Sequence, residues 1–141
     1  MKPKINFITL GVKDIKQQRD FYHSKFGWKI MKDDEAIVFF QLNGIVLTLF
    51  SEEALAEDIG IKQDGSGFRR MTIAYNCESE QEVDAVFADL RKKGVRVVKE
   101  PAKVFWGGYS GYISDPESNY WEIAYNPYLK LDADGNSVEH L

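Results

Sequence analysis

One cysteine, Cys77, stands in a chain of 141 residues. Without a second thiol no intrachain disulfide can form, which fits a reducing compartment and a cytoplasmic protein. No local motif around Cys77 supplies a base to activate it, so a small buried hydrophobe is the plainer reading. Histidine is nearly as scarce, with only His23 and His140. No Ser–His–Asp or Cys–His arrangement is visible, which argues against a nucleophilic triad. No apolar run approaches the ~20 residues that span a bilayer. The opening MKPKINFITLGV has a basic start. Its apolar run is short and a polar, helix-like segment follows, which is not the pattern of a signal peptide. Positive charge is not in excess either. The formal net charge is −4, which argues against a nucleic-acid partner and against an anionic membrane. The basic piece Arg91-Lys92-Lys93 reads as the solvated C-terminus of a helix. Neither a GxGxxG fingerprint nor a P-loop occurs, so nothing points to nucleotide phosphates.

What is there suits a soluble globule. The hydrophobic fraction is 44% and the charged fraction 28%, both ordinary values. A chain this long buries about two-thirds of its unfolded surface and needs no disulfide staple. Ile5–Val12 is rich in β-branched residues and short, as a strand requires. Asp14 is a helix N-cap, with Gln17 placed for a capping box, and Ile15–Lys25 reads as the helix. Gly27 ends it in a left-handed cap. Trp28–Met31, Ala36–Leu42 and Ile45–Phe50 read as three strands, with turns at Asp33-Asp34 and Asn43-Gly44.

The same order then repeats. Arg70–Cys77 is strand-like, and Ser79 with Glu82 forms a second capping-box pattern. Val83, Val86, Phe87 and Leu90 make a helical apolar stripe, which Gly94 terminates. Val95–Lys99, Gly108–Ser114 and Tyr120–Tyr125 are strand candidates, with Asp115-Pro116 opening a turn before the last. The offset between halves is about 65 residues, aligning Asp14 with Ser79. Between them, Glu52–Ile59 reads as a short helix and Gln63–Gly67 as a flexible loop. The expected organisation is one domain over 1–141. It comprises a first module at 5–50, a linker at 51–69, a second module at 70–127 and a polar, irregular tail at 128–141. Neither sheet buries its apolar face alone at this size, so the halves are expected to pair. The gap between them is either a pocket or a filled scaffold.

The motifs that carry this plan resemble a known superfamily. Ile8-Thr9-Leu10-Gly11-Val12-Lys13-Asp14, then Phe21-Tyr22 and Phe26-Gly27-Trp28, are similar to the opening of glyoxalase/bleomycin-resistance/dioxygenase (vicinal oxygen chelate) proteins. Phe105–Tyr112, Ser114-Asp115-Pro116 and Trp121–Pro127 resemble a glyoxalase-like subgroup. The likeness runs from Ile5 to Pro127. It implies an α+β fold in which two βαβββ modules form a curled mixed sheet around a cavity. It does not imply a reaction, because the superfamily covers isomerases, ring-cleaving dioxygenases, thiol transferases and drug-sequestering proteins. Homodimers are common among its members, and exposed sheet edges give a physical reason for pairing.

In the metal-dependent relatives the ligands come from the first and fourth strands of each half. Carried over by position, they fall on Phe7, Thr48, Thr72 and Glu122. A catalytic divalent site usually needs about three protein ligands, and only Glu122 is a strong one. The resemblance therefore implies no metal and no cofactor for this chain. Glu122 is the candidate catalytic residue, placed by strand alternation on the face opposite Trp121 and Ile123. It can transfer a proton or bind a donor. It can equally pair with Arg69 or Arg70, or accept from Thr48 or Thr72. Phe7, Phe39, Thr48, Thr72, Trp106, Tyr109, Tyr112 and Tyr125 are the candidate ligand-binding residues, offering aromatic area and directed hydroxyls. Aromatics also fill small cores, so some of them are expected to be packing. Three functions remain open. One is a small-ligand protein with metal-independent lyase or isomerase chemistry. The second is a sequestering protein, and the third is a scaffold.

Overall fold

The computed structural model describes residues 6–139. Ile5, the expected start of the first strand, and His140 lie outside that range. The chain divides into two compact units, Met1–Arg69 and Arg70–Leu141.

In the first unit, β1 (Phe7–Val12) leads to α1 (Ile15–Ser24). Asp14 caps α1 by accepting a hydrogen bond from the Gln17 amide at 2.9 Å, which satisfies one of the helix's unpaired donors. β2 (Ile30–Asp34), β3 (Ile37–Gln41), β4 (Val46–Ser51) and α2 (Glu52–Ile59) follow. The sheet order is β1-β4-β3-β2, with β1 parallel to β4 and the other pairs antiparallel. β2 starts two residues later than expected and runs through Asp33 and Asp34. Those carboxylates sit on an edge strand, where Asp33 accepts from Arg19 Nη1 at 2.8 Å and Asp34 lies 3.7 Å from Lys32 Nζ, and the turn falls at Glu35-Ala36 instead.

Strand alternation divides the sheet into two faces. Leu10, Val12, Val38, Phe40, Leu47 and Leu49 are buried on one. That face meets Phe21 and Tyr22 of α1, and Phe26 and Trp28 after it. Tyr22 lies edge-on to Phe26 and Phe40 and stacked on Trp28, with ring centroids 5.3–6.0 Å apart. The Trp28 carbonyl lies 2.8 Å from His23 Nδ1. This aromatic cluster is core, and each ring contributes both burial and edge-to-face attraction.

The second unit repeats the plan with β5 (Ile73–Cys77), α3 (Glu80–Lys92), β6 (Arg96–Lys103), β7 (Tyr109–Ser114) and β8 (Tyr120–Tyr125). Its sheet order is β5-β8-β7-β6, again with one parallel pair, β5 with β8. Ser79 accepts from the Glu82 amide at 3.1 Å, but the Glu82 carboxylate reaches the Glu78 amide rather than that of Ser79. The capping box is thus shifted outward by one residue on its return bond. The tail is more ordered than its polarity suggested. β9 (Lys130–Leu131) and β10 (Ser137–Glu139) pair antiparallel. Asp132 closes their turn by accepting from the Asp134 and Asn136 amides. Among the described residues no helix is long and apolar enough to cross a membrane.

Gly111 sets how closely α3 approaches its sheet. A Cβ there would lie 2.6 Å from Phe87 Cζ, 2.7 Å from the Lys99 carbonyl oxygen and 2.8 Å from Pro101 N. β6 is an edge strand whose register shifts around Lys99, which lets it hold Pro101. Gly111→Ala is expected to destabilise the protein by about 1–3 kcal/mol through overpacking. The measurement is the urea midpoint; an unchanged midpoint would mean that Phe87 withdraws freely.

Candidate ligand-binding site

The faces turned away from α1 and α3 carry most of the residues singled out from the sequence. In the first unit the register sets Thr9, Thr48 and Phe39 side by side across β1, β4 and β3. Phe7 stands two residues before Thr9 on the same face and is 55% exposed. Gly11 continues that row, and its position abuts Leu55 and Glu52 of α2, so α2 covers the far end of this face. Thr48 is buried at 2% exposure, and its hydroxyl has no hydrogen-bond partner among the described residues. A buried hydroxyl left unpaired costs about 1–3 kcal/mol.

The second unit uses the same register with different chemistry. Ala74, Glu122 and Tyr112 stand side by side across β5, β8 and β7. Glu122 thus occupies the place that Thr48 holds in the first unit. Trp121 and Ile123 flank it and are buried on the α3 side, so Glu122 faces the other way, as strand alternation requires. Thr72 is exposed one residue before β5 begins. Tyr112 is the immediate cross-strand neighbour of Glu122. Burial, the Glu122 charge and a hydrogen bond to its carboxylate push the Tyr112 phenol above its ordinary value of 10.0. The phenol therefore stays protonated through the neutral range and serves as a donor.

Two of the expected tyrosines are elsewhere. Tyr109 and Tyr125 each lie three residues from a member of the Glu122–Tyr112 pair, an odd spacing that turns them to the opposite face. Tyr109 donates to Asp84 Oδ1 on α3 at 2.8 Å. Tyr125 lines a hollow beside Cys77. Trp106 lies in the loop before β7 with its indole folded against Gly108, so a side chain at 108 would displace it. The spacing of the tyrosines carried this division; the hollow had no signal in the sequence, since it joins two stretches of chain about 50 residues apart.

The donor set does not suit a divalent metal. Phe7 has no donor atom, Thr48 and Thr72 offer neutral hydroxyls, and Glu122 is one carboxylate. Among the described residues no group of three His, Cys, Asp or Glu side chains comes together. Glu122 is the carboxylate on this face; the hydroxyls of Tyr112, Tyr120, Ser110 and Ser114 and the Asn76 amide share it by register.

Comparisons with known proteins identify the family and the fold. The profile of the glyoxalase/bleomycin resistance protein/dioxygenase superfamily matches residues 4–123, and the chain belongs to that superfamily. A glyoxalase-related enzyme from Fulvimarina pelagi is 32% identical, with 99% of each chain covered and a TM-score of 0.86. A glyoxalase/bleomycin resistance protein/dioxygenase from Nocardioides is 22% identical over 100% of this chain and 91% of its own, with a TM-score of 0.78. A family enzyme from Burkholderia phytofirmans PsJN is 18% identical over 85% of this chain and 96% of its own, with a TM-score of 0.75. The last two likenesses concern the fold.

Two outcomes are expected from these charges. Glu122→Gln should lower the Tyr112 phenol towards 10.0, because the Glu122 charge is removed while burial stays. Phenolate absorbance against pH, with Tyr112→Phe to identify the component, reads this directly; an unmoved titration would separate the pair. For Cys77, burial and then Glu82 push the thiol from 9.0 to about 12. The folded state holds this proton more tightly than the unfolded one. Its stabilisation is therefore complete below 9.0 and lost as pH rises towards about 12. Cys77→Ala should lack that part of the alkaline stability loss, measured by denaturation midpoints across the same window.

Proposed function

We propose that this protein binds a small organic ligand on the Glu122 face of its second unit and performs metal-independent lyase or isomerase chemistry with Glu122 as proton acceptor. The observation behind this reading is the cross-strand Glu122–Tyr112 pair. Glu122 is the carboxylate at a position where its counterpart, Thr48, has only a hydroxyl. A carboxylate held at hydrogen-bond distance takes a proton from a carbon acid next to a carbonyl and returns it to the neighbouring atom. In an isomerisation the proton count then balances without a co-reactant. The Tyr112 phenol, kept neutral, donates to Glu122 while it is ionised and is placed to donate to oxygen charge that develops on a ligand. In this reading Thr72 and Trp106 contribute rim contacts in the second unit. Phe7, Phe39 and Thr48 form the matching face of the first. A homodimeric cytoplasmic protein completes it.

A second reading is sequestration without chemistry, as in the bleomycin-resistance members. What favours it is the first unit's row of Phe7, Thr9, Phe39 and Thr48, which has surface for a ligand but no acid or base.

One experiment separates the two. Aromatic ketones are screened by thermal shift, and those that bind are incubated in heavy water while proton NMR follows exchange of the hydrogens beside the carbonyl. The catalytic reading expects exchange that falls about 10²–10⁴-fold in Glu122→Gln with the thermal shift retained. Binding with equal exchange in both proteins supports sequestration and removes Glu122 as the base. An absence of binders supports the scaffold.

A further inference from the structure

The second unit has a hollow on the side of its sheet away from Glu122. β5 and β8 are parallel, so their carboxyl ends open in the same direction. Beyond them the Cys77-Glu78 corner before α3 faces the chain that returns from β8 through Asn126 to Leu131. Between the two lies a cavity of about 280 Å³. That is room for about nine waters at their liquid volume, or a ligand of similar heavy-atom count. Cys77, Leu129 and Leu131 supply apolar wall, and Tyr125, Asn126 and Glu78 supply the polar groups.

The charges select the ligand class. At the start of α3 two of the amide donors are already taken, and the first turn is acidic. The Ser79 hydroxyl already takes the Glu82 amide, and the Glu82 carboxylate takes the Glu78 amide. Glu80 and Glu82 place further negative charge in that first turn, where a helix N-terminus would otherwise attract an anion. Lys130, the cation in the lining, already has a partner. The Glu78 side chain has no hydrogen-bond or ion-pair partner among the described residues. It lies in the lining with the Tyr125 ring. A carboxylate and an aromatic face both favour a cation. The thiol wall stays uncharged and offers only packing.

We propose that this cavity is a second binding site, taking a small ammonium compound with a flat apolar body, its charge held between Glu78 and the Tyr125 ring. It stands independently of the chemistry assigned to Glu122, because the two sites occupy opposite faces of one sheet.

The test is a titration of the whole chain with benzylammonium, followed by backbone amide NMR, beside the neutral benzyl alcohol and the anionic benzoate. Saturable shifts at Cys77, Glu78, Asn126 and Leu131, with benzylammonium binding the tightest of the three, are expected. Glu78→Gln should weaken benzylammonium about threefold to tenfold, and Tyr125→Leu by a similar factor. The proposal is overturned by an absence of saturable shifts, by benzyl alcohol or benzoate binding as tightly, or by affinity unchanged in both variants. Shifts centred on Glu122 and Tyr112 overturn it as well and assign the amine to the other face. If a variant loses the native spectrum, the ranking of the three probes on the unaltered protein decides alone.

Discussion

Each unit hangs on one parallel strand pair, β1 with β4 and β5 with β8. A parallel pair cannot be joined by a tight turn, so the chain must cross over, and in each unit it spends that crossover on a helix and two strands. Because the helix lies on one face, every residue of β4 and β8 must choose between helix and open face. Leu47 and Leu49 choose the helix in one unit, as do Trp121 and Ile123 in the other. Thr48 and Glu122 are then turned to the open face by alternation alone. The position of the candidate acid is a consequence of packing its neighbours.

Chemical differences between the halves can arise without disturbing that frame. Substituting a residue on the open face leaves the helix-side core untouched, so Thr48 and Glu122 hold equivalent places with unlike groups. Neighbours reinforce the contrast. Glu122 has a phenol across the strand, whereas Thr48 has Phe39 and Thr9 and a hydroxyl unpaired among the described residues. The superfamily fold supports many chemistries for this reason, and membership by itself names none of them.

Tyr109 and Tyr125 show how a residue expected at one site serves another part of the molecule. Tyr109 ties β7 to α3 through Asp84, and Tyr125 walls the hollow at the carboxyl end of the parallel pair. Neither displaces the Glu122–Tyr112 pair. The tail, expected to be irregular from its polarity, forms a hairpin, and Leu131 brings it into the lining of that hollow.

The sequence by itself determined the order of elements from β1 to β8, the caps at Asp14, Ser51 and Ser79 that the helices use, the internal repeat and the outward face of Glu122. All of these except the N-cap of α2 were read from local pattern, because periodicity, capping and turn chemistry act over a few residues. Strand ends were less legible: β2 runs into its acidic pair because an edge strand tolerates charge that a turn signal seemed to claim. The tertiary structure alone decided that α2 covers part of the first unit's open face, that Thr48 is buried without a partner among the described residues, that Tyr109 meets Asp84, and that Cys77 and Leu131 wall one cavity. Those facts depend on strand register and on where a returning chain lies against a distant corner, and no local run of residues encodes a contact between segments that meet only after the sheet has formed.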